Sequence, residues 1–181
     1  MPIKEIFRDK TIKAKQATEL LCGLLENKAL SSSEIIKYAS EAGDVHKASC
    51  IESIEFFTRL HPESLDAESF LFISDCLASK SSRVKMEAGR VISNTAQMQG
   101  EIPEKTITQL LENAEHSGTV VRWSAATALN RIVCMRLPVN EFLIPAITAL
   151  IEKEEKNSIR KIYQEALRKV SKPETKKAKK A

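Results

Sequence analysis

The side chains most able to ligate a metal or act as nucleophiles are three histidines and four cysteines. His46, His61 and His116 lie near expected helix starts or turns, far apart in sequence, with no Cys, Ser or Asp partner at a recognised catalytic spacing. Cys22, Cys50, Cys76 and Cys134 form no CxxC pair and have no close histidine. Three of them fall within helical patterns, where a free cysteine acts as a small hydrophobe. Metal ligation and disulfides are not expected, and a reducing compartment fits. The chain contains no HExxH, GxSxG, P-loop or GxGxxG. These residues suggest no catalytic group, no metal and no cofactor. Two other patterns bear on recognition instead. A cation recurs as Lys47, Lys85, Arg122 and Arg160, and the lone tryptophan, Trp123, follows one of them.

Composition narrows the class. A chain of 181 residues is long enough for one continuous core. Five glycines, six prolines and 29 % charged residues favour helix over a loop-rich or disordered chain. Aromatics at 5 % argue against a large aromatic-lined pocket. The first ten residues mix charged and apolar types without a signal-peptide core, and no window approaches the ~20 apolar residues of a spanning helix. A soluble cytoplasmic protein is the expectation. The net charge of +4 is uneven: residues 152–181 hold 11 Lys/Arg against 5 Asp/Glu, leaving 17 against 19 for the remainder. Basicity belongs to the C-terminal end, so the body has no global charge argument for nucleic-acid binding.

The elements expected to position these residues are all helical. Ile3 to Glu26 reads as a covering helix, with Leu20, Leu21, Leu24 and Leu25 on one face. Ser31 to Ser33 supply N-capping hydroxyls for a helix that Gly43 could end in the left-handed conformation. Asp44 is expected to cap the next helix, which stops at His61-Pro62. Asp66 and Ser81-Ser82 open two more. Pro103 suits a first helical turn, Gly118 precedes the helix of Trp123, and Pro138 closes that unit. Pro145 should bend a helix or mark its first turn. Asn157 is expected to cap the last helix, and Lys176 to Lys180 lack an apolar face, as in a disordered tail.

A repeat ties these elements together. His46, Val84, Val121 and Ile159 stand at steps of 38, 37 and 38 residues. In the same frame Cys50, Ala88, Ala125 and Tyr163 coincide, as do Ile54, Ile92, Leu129 and Leu167, then Phe57, Thr95, Ile132 and Val170. The recurring cation is the position after the frame residue. Two-helix solenoid units run to roughly 40 residues. Val121, Arg122, Ala125, Ala126, Ala128, Leu129 and Ile132 resemble the second-helix core of a HEAT repeat. The resemblance covers about residues 31–171, is closest in the last two units and is faintest in the first. The acid that HEAT turns often carry before this helix is present at Asp44 and replaced by Ser82 and Thr119 in the next two units. The resemblance implies an all-α fold: a right-handed α-solenoid of about four helix pairs with an N-terminal capping helix. One domain over 1–171 and a disordered lysine-rich tail over 172–181 are expected.

The resemblance also implies a role. Second helices of a solenoid line its concave surface, and repeated helix pairs form long shallow grooves rather than closed catalytic pockets. On a helical wheel Trp123 points about 180° from the mean direction of Val121, Ala125, Ala128, Leu129 and Ile132. Trp123, Met86 and Arg90, with Thr127, Asn130 and Arg168, are therefore the expected contacts for a peptide or helix of a partner protein. Trp and Arg are enriched in interface hot spots, and Met adapts to varied partners. Trp123 packed inside the fold is the alternative. Lys47, Lys85, Arg122 and Arg160 could meet an anion, or could pack their stems over neighbouring turns. A non-enzymatic interaction or scaffold module is the leading expectation. Nucleic acid held by the cationic ladder and basic tail is the second. An enzyme resembling the HEAT-like DNA glycosylases, with Glu52, Glu55 or Glu165 beside Trp123, is a distant third.

Overall fold

Ten α-helices follow one another in the computed structural model, which describes residues 3–172. They are α1 (Ile3–Arg8), α2 (Ala14–Glu26), α3 (Ser32–Glu41), α4 (Asp44–Thr58), α5 (Ala67–Cys76), α6 (Ser82–Thr95), α7 (Glu104–Ala114), α8 (Thr119–Val133), α9 (Asn140–Lys153) and α10 (Asn157–Ser171). Short 3₁₀ turns at Pro62–Ser64 and Ala96–Met98 end the α4 and α6 segments. The expected lysine-rich tail, apart from Lys172, lies outside the described residues. Among the described residues no helix is long and apolar enough to cross a membrane.

Helices pair in sequence and the pairs stack. Within a unit α3 packs on α4, α5 on α6, α7 on α8 and α9 on α10. Between units α2, α4, α6, α8 and α10 form a continuous inner row, while α3, α5 and α7 follow each other in an outer row. The frame residues explain the stacking. Val84, Val121 and Ile159 are fully buried, as are Cys50, Ala88 and Tyr163, and then Ile54, Ile92 and Leu129. Spacing of i, i+4, i+8 puts them on one stripe of each inner helix. The first unit departs with His46, half-buried where the others place an aliphatic residue, and the last with Leu167, half-buried where the others are fully buried.

The N-terminal cap is itself a helix pair, not one covering helix. Asp9 breaks the expected Ile3–Glu26 helix by accepting hydrogen bonds from the Thr11 amide (2.9 Å) and hydroxyl (2.6 Å). That turn lets α2 join the inner row against α4, where Thr18 donates to Glu52 at 2.9 Å. Buried Ala17, Leu21 and Leu25 continue the inner stripe. Ala17 precedes Cys50 by 33 residues, so a shorter linker hides this unit from the 38-residue frame.

Two expected N-caps, Asp44 and Asn157, shift by one residue. Gly43 does not end α3 in the left-handed region; its φ is −67° and it is the N-cap of α4, so Asp44 is the first helical residue. Asn157 likewise begins α10 after Lys156 at the N-cap. Ser31, Asp66 and Ser81 do cap their helices through side-chain oxygens. Pro145 is held inside α9.

Candidate functional site

The inner helices keep one stripe each on the face opposite the outer row, and Trp123 lies on the α8 stripe. Its side chain is 42 % exposed. Two recesses adjoin it. One, of about 410 Å³, spans α6, α8 and α10 and is walled by Met86, Arg90, Thr119, Val120, Trp123, Ser158 and Ile159. The other, of about 340 Å³, lies toward α4 and includes Glu55, Arg59, Arg90, Asn94, Trp123, Thr127 and Arg131. Trp123 and Arg90 form the ridge between them. The chain thus brings Met86, Arg90, Trp123 and Thr127 together. Asn130 and Arg168 line neither recess; the Asn130 amide instead donates to the Ile162 carbonyl of α10 at 2.9 Å.

The α4–α6 end of this face is an ion-pair network. Arg59 forks onto Glu55 with two bonds of 2.7 Å, and Arg90 bridges Glu55 (3.0 Å) and Glu87 (2.8 Å). Arg83 pairs with Glu52 at 2.8 Å. Glu55 and Glu87 are only 3 % and 1 % exposed. Burial pushes the Glu87 carboxyl up to about 7, against the pull of Arg90 and with further push from Glu52 and Glu55. Asn94 closes the network by donating to the Glu55 carbonyl (3.0 Å) and to the Thr58 hydroxyl (3.2 Å). The α8–α10 end is different. Arg131, Lys161 and Arg168 are exposed and form no ion pair among the described residues.

No family model matches the chain, and no curated protein matches it. Solved structures do. An engineered protein superposes with a TM-score of 0.70 at 16 % identity over 95 % of this chain, which spans 47 % of that protein's length. A designed armadillo repeat protein in complex with the peptide (KR)4 gives a TM-score of 0.67 at 20 % identity, covering 84 % of this chain and 68 % of its own. A second engineered protein gives 0.64 at 17 % identity, covering 93 % and 78 %. With the paired helices in two rows, these neighbours decide the architecture. The fold is an armadillo/HEAT-like α-solenoid.

Inside the solenoid the recurring cation serves the turn of its own unit. Lys85 donates to the Leu77 carbonyl (2.9 Å) and to Asn113 (2.8 Å). Arg122 donates to the His116 (3.0 Å) and Ser117 (3.1 Å) carbonyls. Arg160 donates to the Glu154 carbonyl. Lys85 and Arg160 thereby satisfy C-cap carbonyls of the preceding outer helix, where orphan acceptors and the helix dipole favour positive charge, and Arg122 serves the turn just past α7. Arg122 also forks onto the Glu154 carboxylate, at 2.9 and 3.3 Å, from the next unit. This supplies the inter-repeat acid–Arg pair that the turns at Ser82 and Thr119 lack. Lys47 has no such partner among the described residues.

The remaining chemically able residues are dispersed along the solenoid. His46 stacks on Phe7 with ring centres 4.4 Å apart and contacts the Tyr38 hydroxyl at 3.3 Å. His61 lies against Phe57, and the His116 ring accepts from the Gly118 amide at 2.9 Å. Burial raises Cys50 to about 12 and Cys76 to about 11, which makes both poor nucleophiles. No group of three metal-ligating side chains occurs among the described residues. Several wall residues escaped the sequence reading. Val120, three residues before Trp123, and Arg131, eight after it, share its stripe, and the same wheel that oriented Trp123 could have found them. Glu154 had no such signal, because its partner Arg122 lies on another helix, and Glu87 pairs with Arg90 in its own helix but owes its burial to the packing between helices.

Proposed function

We propose that this chain is a non-enzymatic protein-interaction module whose inner-helix groove takes a peptide or helix from a partner. The observation that carries the reading is Trp123, 42 % exposed on the ridge between two adjoining recesses in the inner row. A large aromatic held half in water costs solvation unless something covers it, and interface anchors are enriched in Trp and Arg. The designed armadillo neighbour in complex with a peptide supports such a use of the scaffold in general. The cationic ladder does not support the nucleic-acid alternative, since Lys85, Arg122 and Arg160 spend their donors on internal carbonyls. The reading names Trp123, Met86, Arg90 and Thr127 as contacts at the two recesses, with Asn130 and Arg168 further along the same face.

The test is a pull-down from native lysate with wild type and Trp123→Ala, followed by affinity measurement on the captured partner. Binding should weaken by about 2 kcal/mol or more, with helical circular dichroism unchanged. Equal binding by both proteins would remove Trp123 from the interface and with it the groove reading.

A further inference from the structure

The two ends of the inner-helix face differ in how their charges are used, and that difference selects a partner. On α4 and α6, Arg59, Arg83 and Arg90 are all committed to Glu52, Glu55 or Glu87. That end presents charge that is already compensated, so it attracts ions of neither sign. On α8 and α10, Arg131, Lys161 and Arg168 are exposed and form no ion pair among the described residues. Lys161, Glu165 and Arg168 stand at i, i+4 and i+7, one stripe of α10, and Arg131 is eight residues past Trp123 on the stripe of α8. The carboxylate on that α10 stripe, Glu165, is paired with Lys169 at 2.8 Å. Lys169, with Arg168 and Arg131 beyond it, holds Glu165 below the usual carboxylate range. The recess of about 410 Å³, with Met86, Val120, Trp123 and Ile159 as its apolar walls, lies on one side of Trp123, and Arg131 lines the recess of about 340 Å³ on its other side.

We propose that the groove binds an acidic peptide that inserts one apolar side chain beside Trp123 and lays its carboxylates along Arg131, Lys161 and Arg168. The inference rests on the groove reading above and adds the partner's chemistry. Charge complementarity carries it: exposed cations that form no ion pair steer and register an acidic segment, while the apolar recess supplies the anchor. A nucleic-acid strand fits less well. Phosphate binding favours a basic track of many contacts, and Arg59, Arg83 and Arg90 at the α4–α6 end are already paired with glutamates.

The experiment selects short random peptides displayed on phage against the immobilised full chain, then measures the enriched peptides by fluorescence anisotropy. Enrichment of Asp/Glu-rich sequences with a single large apolar residue is the expected result. Trp123→Ala should weaken the enriched peptide about thirtyfold. The triple variant R131E/K161E/R168E, checked for unchanged circular dichroism, should reverse the preference toward Lys/Arg-rich peptides. Enriched peptides that depend on Trp123 but carry basic or uncharged sequences would overturn the acidic class and leave the groove reading standing. Enriched peptides indifferent to Trp123 would overturn both. A single-stranded oligonucleotide that displaces the peptides, with binding that collapses steeply as salt rises, would overturn the proposal in favour of phosphate recognition.

Discussion

Glu87 is the residue whose surroundings depart furthest from those of a surface carboxylate. It lies on α6 at 1 % exposure, with Arg90 at 2.8 Å and two other glutamates close by. Desolvation outweighs the ion pair, so its folded value of about 7 stands above the ordinary 4.5. A carboxyl raised on folding binds more protons in the native than in the unfolded state between those values. Its contribution is therefore present in full below about pH 4.5 and is lost as pH rises through 7, on the order of 3 kcal/mol in all. Glu87→Gln keeps the shape and an acceptor for Arg90 while removing the buried charge. Urea midpoints should show the variant gaining on wild type at pH 8 and drawing level near pH 4.5. A variant that is weaker at pH 8 would mean that the Arg90 pair dominates. Trp123 sets the complementary lesson at this scale: its direction follows from one helix alone, whereas the fate of Glu87 depends on a neighbouring helix.

At the scale of the element, α6 and α8 approach tightly at Gly89 and Ser124. A Cβ built on Gly89 would stand 2.8 Å from the Ser124 hydroxyl oxygen, 3.2 Å from its Cβ and 3.4 Å from its backbone carbon. The glycine is needed for space and not for backbone conformation, because among the described residues no glycine has a positive φ. Gly89→Ala should cost about 1–3 kcal/mol in overpacking, offset by about 1 kcal/mol of helix propensity. Adding Ser124→Gly should recover most of the strain, so a double-mutant cycle in urea would show a coupling energy of about 1 kcal/mol. Purely additive effects would mean that the helices separate freely. The same element explains the ladder. Arg122 joins the turn before α8 to Glu154 of the next unit, which makes it a tie between units.

For the whole molecule, a stack of paired helices has neighbours only along one axis, so stability is shared between adjacent units. The units around α6 and α8 have inner-row neighbours on both sides, α4 and α10, whereas α10 has one among the described residues. Amide hydrogen exchange followed by mass spectrometry should therefore be slowest in α6 and α8 and faster in α2 and α10 of this chain. Uniform exchange across all five inner helices would indicate a single cooperative unit. The face bearing Trp123 crosses α4, α6, α8 and α10, so the partner proposed above should slow exchange at positions more than 70 residues apart.

The sequence alone determined the helix pairs, the 38-residue frame and the outward direction of Trp123. Each of these depends on local periodicity: apolar residues at i, i+4 and i+8 define a buried stripe, and whatever lies opposite that stripe faces away. Tertiary structure decided what lies between units. The offset with which one helix stacks on the next placed Glu87 in the interior and brought Glu154 to Arg122, while the pairing of helices within each unit turned Lys85, Arg122 and Arg160 from an apparent anion ladder into donors to the carbonyls of the preceding helix end or turn. It also folded the N-terminal segment into a pair, since the Asp9–Thr11 turn gains its value only when α2 has α4 to pack against. Spacing along the chain carries no information about that offset, because it is set by the volumes of side chains meeting across two helices that the sequence keeps about 30 residues apart.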